Sequence, residues 1–189
     1  ALKKLREGNY EHHGEYWNFA TSTSVPKPMQ LPHPPLSVAA RSPSTFEFAV
    51  KNGMNILSWP LIRPLSEANL YKSFLDDALK KYPDRPRPVF AMMRPTSVYD
   101  CVEDWIIPVK SLQRTLDQFE NVFKNLGDVI LGFPKQIDLT ALDNREQYNP
   151  EILRDNLMFS TPDQVIAKLK AYQLIGIDQF IYYASMGLE

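Results

Sequence analysis

Short apolar runs alternate with amphipathic stretches along most of this chain. Four of these runs are too brief for helices and are bounded by turn-forming or polar residues, which is typical of buried strands. The predicted strands cover residues 36–40, 55–59, 89–93 and 179–184. In the last of them, Phe180, Ile181, Tyr182 and Tyr183 follow one another without a polar break. That pattern favours a strand covered on both faces.

Between the strands, apolar residues recur at helical spacing. Residues 42–49 are predicted to begin a helix, with Ser44 and Thr45 as candidate N-caps and Gly53 closing it. Residues 66–82 predict a long amphipathic helix, and the second part of residues 102–126 keeps the same spacing. A final helix is predicted from the cap at Ser160 and Thr161 to Gly176.

The remaining segments carry weaker patterns. Residues 2–6 are predicted to end a helix, and residues 10–19 to form an extended arm or a hairpin that turns at Gly14. Prolines dominate residues 25–35, and residues 128–149 are predicted to form a long loop. We therefore expect one domain over residues 1–189, with an arm and proline-rich loop at 1–35 and β/α units over 36–189.

The alternation of strands and helices indicates an α/β fold with parallel pairing and right-handed crossovers. Four strands fit either a piece of a doubly wound sheet or half of an eight-stranded barrel, and the pattern leaves both open. In either fold, ligands bind beyond the carboxyl ends of the strands.

Composition narrows the class of protein. The net charge of −1 gives no reason to expect nucleic acid or membrane binding, and the apolar runs are too short to span a bilayer. The single cysteine, Cys101, cannot form an internal disulfide, which favours the cytoplasm. The sequence contains no metal-binding motif such as His-Glu-x-x-His, so no metal is expected.

Polar and aromatic residues at the predicted strand ends are the candidate ligand-binding residues. Residues 41–45 (Arg-Ser-Pro-Ser-Thr) combine one cation with three hydroxyl groups at a helix start. The free N–H groups of such a start stabilise an anion, although plain capping uses the same residue types. Trp59 follows the second strand and is predicted either to pack in the core or to contact a flat ligand. Arg94 and Tyr183 are the candidate substrate-pocket residues. Arg94 is predicted to bind a phosphate or carboxylate or to form a surface ion pair, and Tyr183 to face the opposite side from Tyr182.

Several segments resemble the bacterial luciferase-like monooxygenase family in their order and spacing. They are residues 14–19 (Gly-Glu-Tyr-Trp-Asn-Phe), 26–30, 34–45 (Pro-Pro-Leu-Ser-Val-Ala-Ala-Arg-Ser-Pro-Ser-Thr), 56–59 (Ile-Leu-Ser-Trp), 160–166 and 176–180. The similarity extends over nearly the whole chain and is weakest over residues 100–150. This resemblance implies an eight-stranded (β/α)8 TIM barrel, of which the chain covers roughly strands 5–8.

The resemblance also implies a flavin-dependent monooxygenase that uses reduced FMN and O2, with the deazaflavin F420 as the alternative cofactor. It implies a cofactor-binding turn made of Ala40, Arg41, Ser42 and Thr45, with Ser42 and Thr45 at the FMN phosphate. Leu57, Ser58 and Trp59 would lie along the isoalloxazine ring. Many relatives carry Glu at the position of Arg41, His at that of Pro95 and Gly at that of Ser160.

The same resemblance implies a small-molecule substrate, a separate flavin reductase and a homodimer. The first four strands of such a barrel would lie outside this sequence, together with a further phosphate-binding Arg and a catalytic His. A partial barrel would leave apolar surface that needs a partner. Two alternatives stay open: a non-catalytic paralogue that binds flavin or supports an active partner, and an F420-dependent oxidoreductase of the same fold.

Overall fold

The computed structural model describes residues 8–23, 25–27, 29–31, 33–124, 128–134 and 146–185, without the side chains of 117–124 and 134. The predicted helix end at residues 2–6 lies outside the described residues. The chain divides into two compact units, Ala1–Ser37 and Val38–Glu189. This division falls close to the end of the predicted arm and proline-rich loop, while the assignment of the chain to one domain stays a prediction.

The first unit contains an antiparallel hairpin of β1 (Tyr10–His13) and β2 (Asn18–Ser22). Its turn closes with a hydrogen bond of 3.0 Å from the Gly14 N–H to the Trp17 carbonyl. Across the hairpin, the rings of Tyr10 and Phe19 meet edge to face with centroids 5.6 Å apart. Of the two alternatives for this segment, the hairpin is confirmed.

The second unit consists mainly of β/α units, and two short 3-10 helices, Val102–Trp105 and Glu146–Tyr148, interrupt it. Its further elements in chain order are β3 (Ser37–Ala39), α1 (Pro43–Asn52), β4 (Asn55–Ser58), α2 (Leu65–Lys81), β5 (Phe90–Val98), α3 (Ile106–Lys124), β6 (Val129–Ile130), β7 (Phe133–Pro134), α4 (Pro150–Asn156), β8 (Met158–Ser160), α5 (Pro162–Ile175) and β9 (Gln179–Tyr183).

Strand β5 is the centre of the sheet. β4 pairs with it in parallel with Ile56 opposite Phe90, and β9 pairs with it in parallel with Phe180 opposite Met92. β3 lies beside β4, and the short strand β8 pairs in parallel with the end of β5. The predicted parallel α/β arrangement is confirmed.

The end of β5 differs from the prediction. We expected a strand within residues 88–99 that covers at least residues 89–93 and is followed by Arg94, Pro95 and Thr96. Instead β5 continues to Val98 and changes its partner at the proline: β9 pairs with it up to Pro95, and β8 pairs with it from Thr96. Arg94 therefore lies inside a strand.

The predicted helices are present, with corrections at their ends. Helix α1 begins with Pro43, so Ser42 is its N-cap and the prediction of Ser44 or Thr45 is wrong. Proline suits this first helical position because its φ is already helical and its missing N–H has no intrahelical partner there. The predicted loop at 128–149 contains the hairpin of β6 and β7, and helix α4 and strand β8 were not predicted.

Two apolar clusters stabilise the second unit. The larger lies between β4, β5 and helices α1, α2 and α5, and its aromatic centre is Phe46. The smaller joins Val109 and Leu112 of α3 to Leu153, Leu157 and Phe159 around α4 and β8. Burying these five side chains outweighs the low intrinsic stability of a helix as short as α4. None of the helices in the described part of the chain is long and apolar enough to cross a membrane.

Candidate functional site

Three hydroxyl groups converge at the start of α1. The Ser42 Oγ lies 2.9 Å from the Thr45 Oγ1 and 3.1 Å from the Ser44 Oγ. The Ser42 carbonyl accepts the N–H groups of Thr45 and Phe46, but its side chain makes no capping hydrogen bond. The hydroxyls thus bond to one another at the positive end of a helix, where they can also donate to an anion.

Arg41 precedes this cluster and is exposed. It lies close to the hydroxyl of Tyr71, which α2 contributes. Burial raises the pKa of Tyr71, and the hydrogen bond with Arg41 opposes this without cancelling it. The phenol is therefore held neutral, with the cation of Arg41 and the carboxylate of Glu67 both acting on it.

The ends of β3 and β4 are joined by hydrogen bonds around Ala40. Its N–H donates to the Leu57 carbonyl over 2.9 Å, and its own carbonyl accepts the Ser58 hydroxyl over 2.7 Å. Ser58 and Ala40 are buried, and Leu57 is half-buried. Because its proton is committed to Ala40, Ser58 holds the turn before α1 in place.

Trp59 follows β4 and Tyr183 ends β9, and their side chains meet. Their ring centroids are 6.1 Å apart at an interplanar angle of 62°. Since β4 and β9 pair with opposite edges of β5, this contact crosses the face of β5. Tyr182 instead contacts Phe180, with ring centroids 5.1 Å apart. The two adjacent tyrosines thus have different aromatic neighbours, as the prediction of opposite orientations requires.

The indole Nε1 of Trp59 is buried and has no hydrogen-bond partner among the described residues. An unsatisfied buried donor costs about 1–3 kcal/mol. Because the rings of Trp59 and Tyr183 lie at 62° to each other, they do not form a single flat surface.

Arg94 does not lie at a strand end, and it forms no surface ion pair. Its side chain is completely buried, and its guanidinium donates to three backbone carbonyls, those of Leu61, Arg63 and Asn156. Burial lowers the pKa of Arg94, and Tyr172 and Tyr71 oppose that shift. Sequence reasoning missed these contacts because their partners are carbonyls, which every residue type carries.

The described residues thus bring together some predicted groups and not others. Ser42 and Thr45 share one cluster, and Trp59 and Tyr183 share an aromatic contact. Arg94 belongs to neither of these sets. In the part of the chain that the structure describes, no three His, Cys, Asp or Glu side chains are grouped closely enough to hold a metal ion.

The parallel sheet, with helices between its strands, defines an α/β protein, and the hydroxyl groups at the start of α1 lie beyond the carboxyl edge of that sheet. The chain belongs to the luciferase-like monooxygenase family, whose model matches residues 1–179. It is 34% identical over 189 residues to the flavin-dependent trigonelline monooxygenase, oxygenase component, of Acinetobacter baylyi. That match covers 100% of this chain and 52% of the relative.

Two solved structures share the fold. An F420-dependent secondary alcohol dehydrogenase in complex with an F420–acetone adduct matches with a TM-score of 0.63 and 15% identity, over 92% of this chain and 49% of its own. The oxygenating constituent of 3,6-diketocamphane monooxygenase from Pseudomonas putida, in complex with FMN, matches with a TM-score of 0.61 and 16% identity, over 97% and 53%. The predicted family and partial-barrel fold are confirmed, and the chain spans about half the length of these relatives.

Proposed function

We propose that this chain contributes the flavin-binding side of a flavin-dependent monooxygenase, which oxidises an organic substrate with O2 through reduced FMN. The hydroxyl cluster of Ser42, Ser44 and Thr45 carries this proposal. At this helix start, the hydroxyls of Ser44 and Thr45 both lie within 3.1 Å of the Ser42 hydroxyl, an arrangement that suits the phosphate group of FMN. Arg41 adds a cation beside them.

The isoalloxazine ring would lie against the Trp59–Tyr183 pair. The half-buried Leu57 adds apolar surface there. Bound reduced flavin supplies the electrons, and O2 supplies the oxygen atom that the substrate gains. The residues of this chain would bind the phosphate, orient the ring and exclude water from one of its faces.

Comparing FMN with riboflavin tests the phosphate site, because the two ligands differ only in the phosphate. We expect the intact protein to bind FMN more tightly, and the S42A/T45V double variant to lose most of that preference. Two hydrogen bonds to a charged group are worth about 1.5–3 kcal/mol each, so the preference should fall at least tenfold. Quenching of flavin fluorescence on binding gives both dissociation constants.

Thr161→Val is the matched control. Thr161 is also the N-cap of a helix whose first residue is proline, and like Ser42 it makes no side-chain capping hydrogen bond. This variant should keep the preference for FMN over riboflavin. A double variant that binds the two flavins in the wild-type ratio would exclude the hydroxyl cluster as the phosphate site.

Two other functions are tested with the same protein. The structural likeness to an F420-dependent enzyme favours F420 as the alternative cofactor, and competition between FMN and F420 would decide between them. A non-catalytic paralogue would bind flavin without consuming O2 in response to a substrate. Trigonelline is the first substrate to assay, because the 34% identical relative is named a trigonelline monooxygenase.

The name of that relative, an oxygenase component, also supports a separate flavin reductase as the partner. We therefore expect O2 consumption to require added reductase or chemically reduced FMN. We also propose that the protein is a homodimer located in the cytoplasm. Sedimentation of the intact protein and fractionation of the cells that produce it would test these last two points.

A further inference from the structure

Arg94 binds the loop that joins β4 to α2, which runs from Trp59 to Pro64. Its Nη1 donates to the Leu61 carbonyl over 3.0 Å, and its Nη2 donates to the Arg63 carbonyl over 2.6 Å. The same Nη2 also donates to the carbonyl of Asn156 at the end of α4. The planar fork of an arginine is suited to such contacts, because it holds several acceptors in fixed directions.

Asn156 also binds this loop. Its Nδ2 donates to the Ile62 carbonyl over 3.2 Å. Three consecutive carbonyls, those of residues 61, 62 and 63, are therefore bound by side chains from outside the loop. Each of these bonds forms only when its carbonyl points at the donor, so together they favour one loop conformation.

The loop is held in a strained conformation. Leu61 has a φ of 56°, in the left-handed region that residues with a Cβ enter only at an energetic cost. Such strain persists when the surroundings fix the backbone, and it is concentrated at functional sites. Here the surrounding donors are Arg94 and Asn156.

The charge of Arg94 has an unusual environment. Among the residues that the structure describes, it faces carbonyl oxygens and the phenols of Tyr172 and Tyr71 rather than a carboxylate. Burying a charge is expensive unless hydrogen bonds compensate for the lost hydration. For Arg94 those hydrogen bonds go to backbone carbonyls of the loop and of α4, so the charge is tied to one arrangement of these segments.

We propose that Arg94 is a positioning residue of the flavin site: by fixing the loop from Trp59 to Pro64, it holds the Trp59 indole against Tyr183 at the cofactor face. This inference rests on the proposed function for its consequence in flavin binding. The positioning of Trp59 itself does not depend on that function, so the two can fail separately.

The test labels the intact protein with 5-fluorotryptophan and assigns the Trp59 resonance by its loss in a Trp59→Phe variant. Arg94→Met removes the donors at similar volume, and Asn156→Ala removes only the bond to Ile62. We expect Arg94→Met to shift or broaden the Trp59 resonance without added flavin and to weaken FMN binding roughly tenfold or more. Asn156→Ala should change both measurements in the same direction by less.

Lys168→Met is the matched control. The Lys168 Nζ binds the carbonyls of Arg154, Asp155 and Leu157, so it serves the same end of α4 as Arg94 does. The described hydrogen bonds of Lys168 do not reach the β4–α2 loop. Because Asp155 and Leu157 flank Asn156 and the charge of Lys168 also acts on Arg94, this variant reaches the loop only indirectly. It should lower the melting temperature and move the Trp59 resonance by less than Asn156→Ala does.

Each outcome decides one claim. If folded Arg94→Met and Asn156→Ala both keep the wild-type Trp59 resonance, the positioning role is wrong. If Arg94→Met does not fold, an unchanged resonance in Asn156→Ala alone overturns the proposal. A resonance that shifts in a protein that binds neither FMN nor F420 would retain the role of Arg94 and refute the flavin site.

Discussion

Replacing Phe46 by alanine should destabilise the protein more than any substitution at its surface. Phe46 is completely buried in the second turn of α1. Its ring meets Phe74 and Phe90 edge to face, with centroids 5.8 Å and 5.7 Å away, and the tilted ring of Tyr71 at 6.1 Å. It thus joins α1 to both α2 and β5.

The magnitude follows from these contacts. Truncating a buried phenylalanine to alanine costs about 3–5 kcal/mol, including the cavity that is left. Three aromatic partners place Phe46 in the upper part of that range, since each such pair contributes about 0.5–1.5 kcal/mol beyond burial. We therefore expect a loss of about 4–5 kcal/mol, a large fraction of the roughly 5–15 kcal/mol that a typical domain has.

Urea unfolding, followed by far-UV circular dichroism, measures this loss from the midpoint and the slope. Phe46→Leu is the control: it keeps most of the apolar volume and should cost only about 1–2 kcal/mol. Because the hydroxyl cluster lies one turn away on the same helix, Phe46→Ala should also weaken FMN binding. A loss below about 2 kcal/mol would refute the packing argument, because it would mean that the three rings do not depend on Phe46.

Three further substitutions test single features. In Gly53→Ala the new Cβ meets no atom within 4 Å, so the cost comes only from the φ of 64°. Urea unfolding should show that the free energy of unfolding falls by about 1 kcal/mol. No loss would contradict the left-handed cap. Ser58→Ala leaves the carbonyl of the buried Ala40 without its donor. The same assay should show that the free energy of unfolding falls by about 1–2 kcal/mol, and an unchanged value would argue against that bond. Hydrogen bonds from Lys81 and then Tyr82 lower the pKa of Glu47 below its ordinary 4.5, so its stabilisation is present above that value and is lost as the pH falls through the folded pKa. Thermal melts across the acid range should show less loss in Glu47→Gln than in the wild type, and parallel curves would exclude this contribution.

The sequence was informative where structure depends on neighbours along the chain. Helix α1 ends at Gly53 and α5 at Gly176, both with positive φ, as their predicted caps require. The hydroxyl cluster was also visible, because its members lie within four residues and a helix start brings them together. Only the position of the N-cap had to be corrected, by two or three residues.

The sequence was uninformative where a segment depends on distant partners. Helix α4 has seven residues and strand β8 three, too few for a periodic pattern. Leu153 and Phe159 form these elements by packing against α3, which precedes them by a long stretch of chain. Likewise, β5 continues past Pro95 because a second strand, β8, pairs with it from Thr96.

The chain by itself thus determined the β/α alternation, the helix ends and the polar start of α1, since each of these rests on local hydrogen bonds and side-chain periodicity. Tertiary structure decided that Trp59 meets Tyr183 and that Arg94 binds the carbonyls of Leu61 and Arg63. Those contacts join strands that are far apart in the sequence. They form only when the parallel sheet sets the register between strands, and no short-range pattern encodes that register.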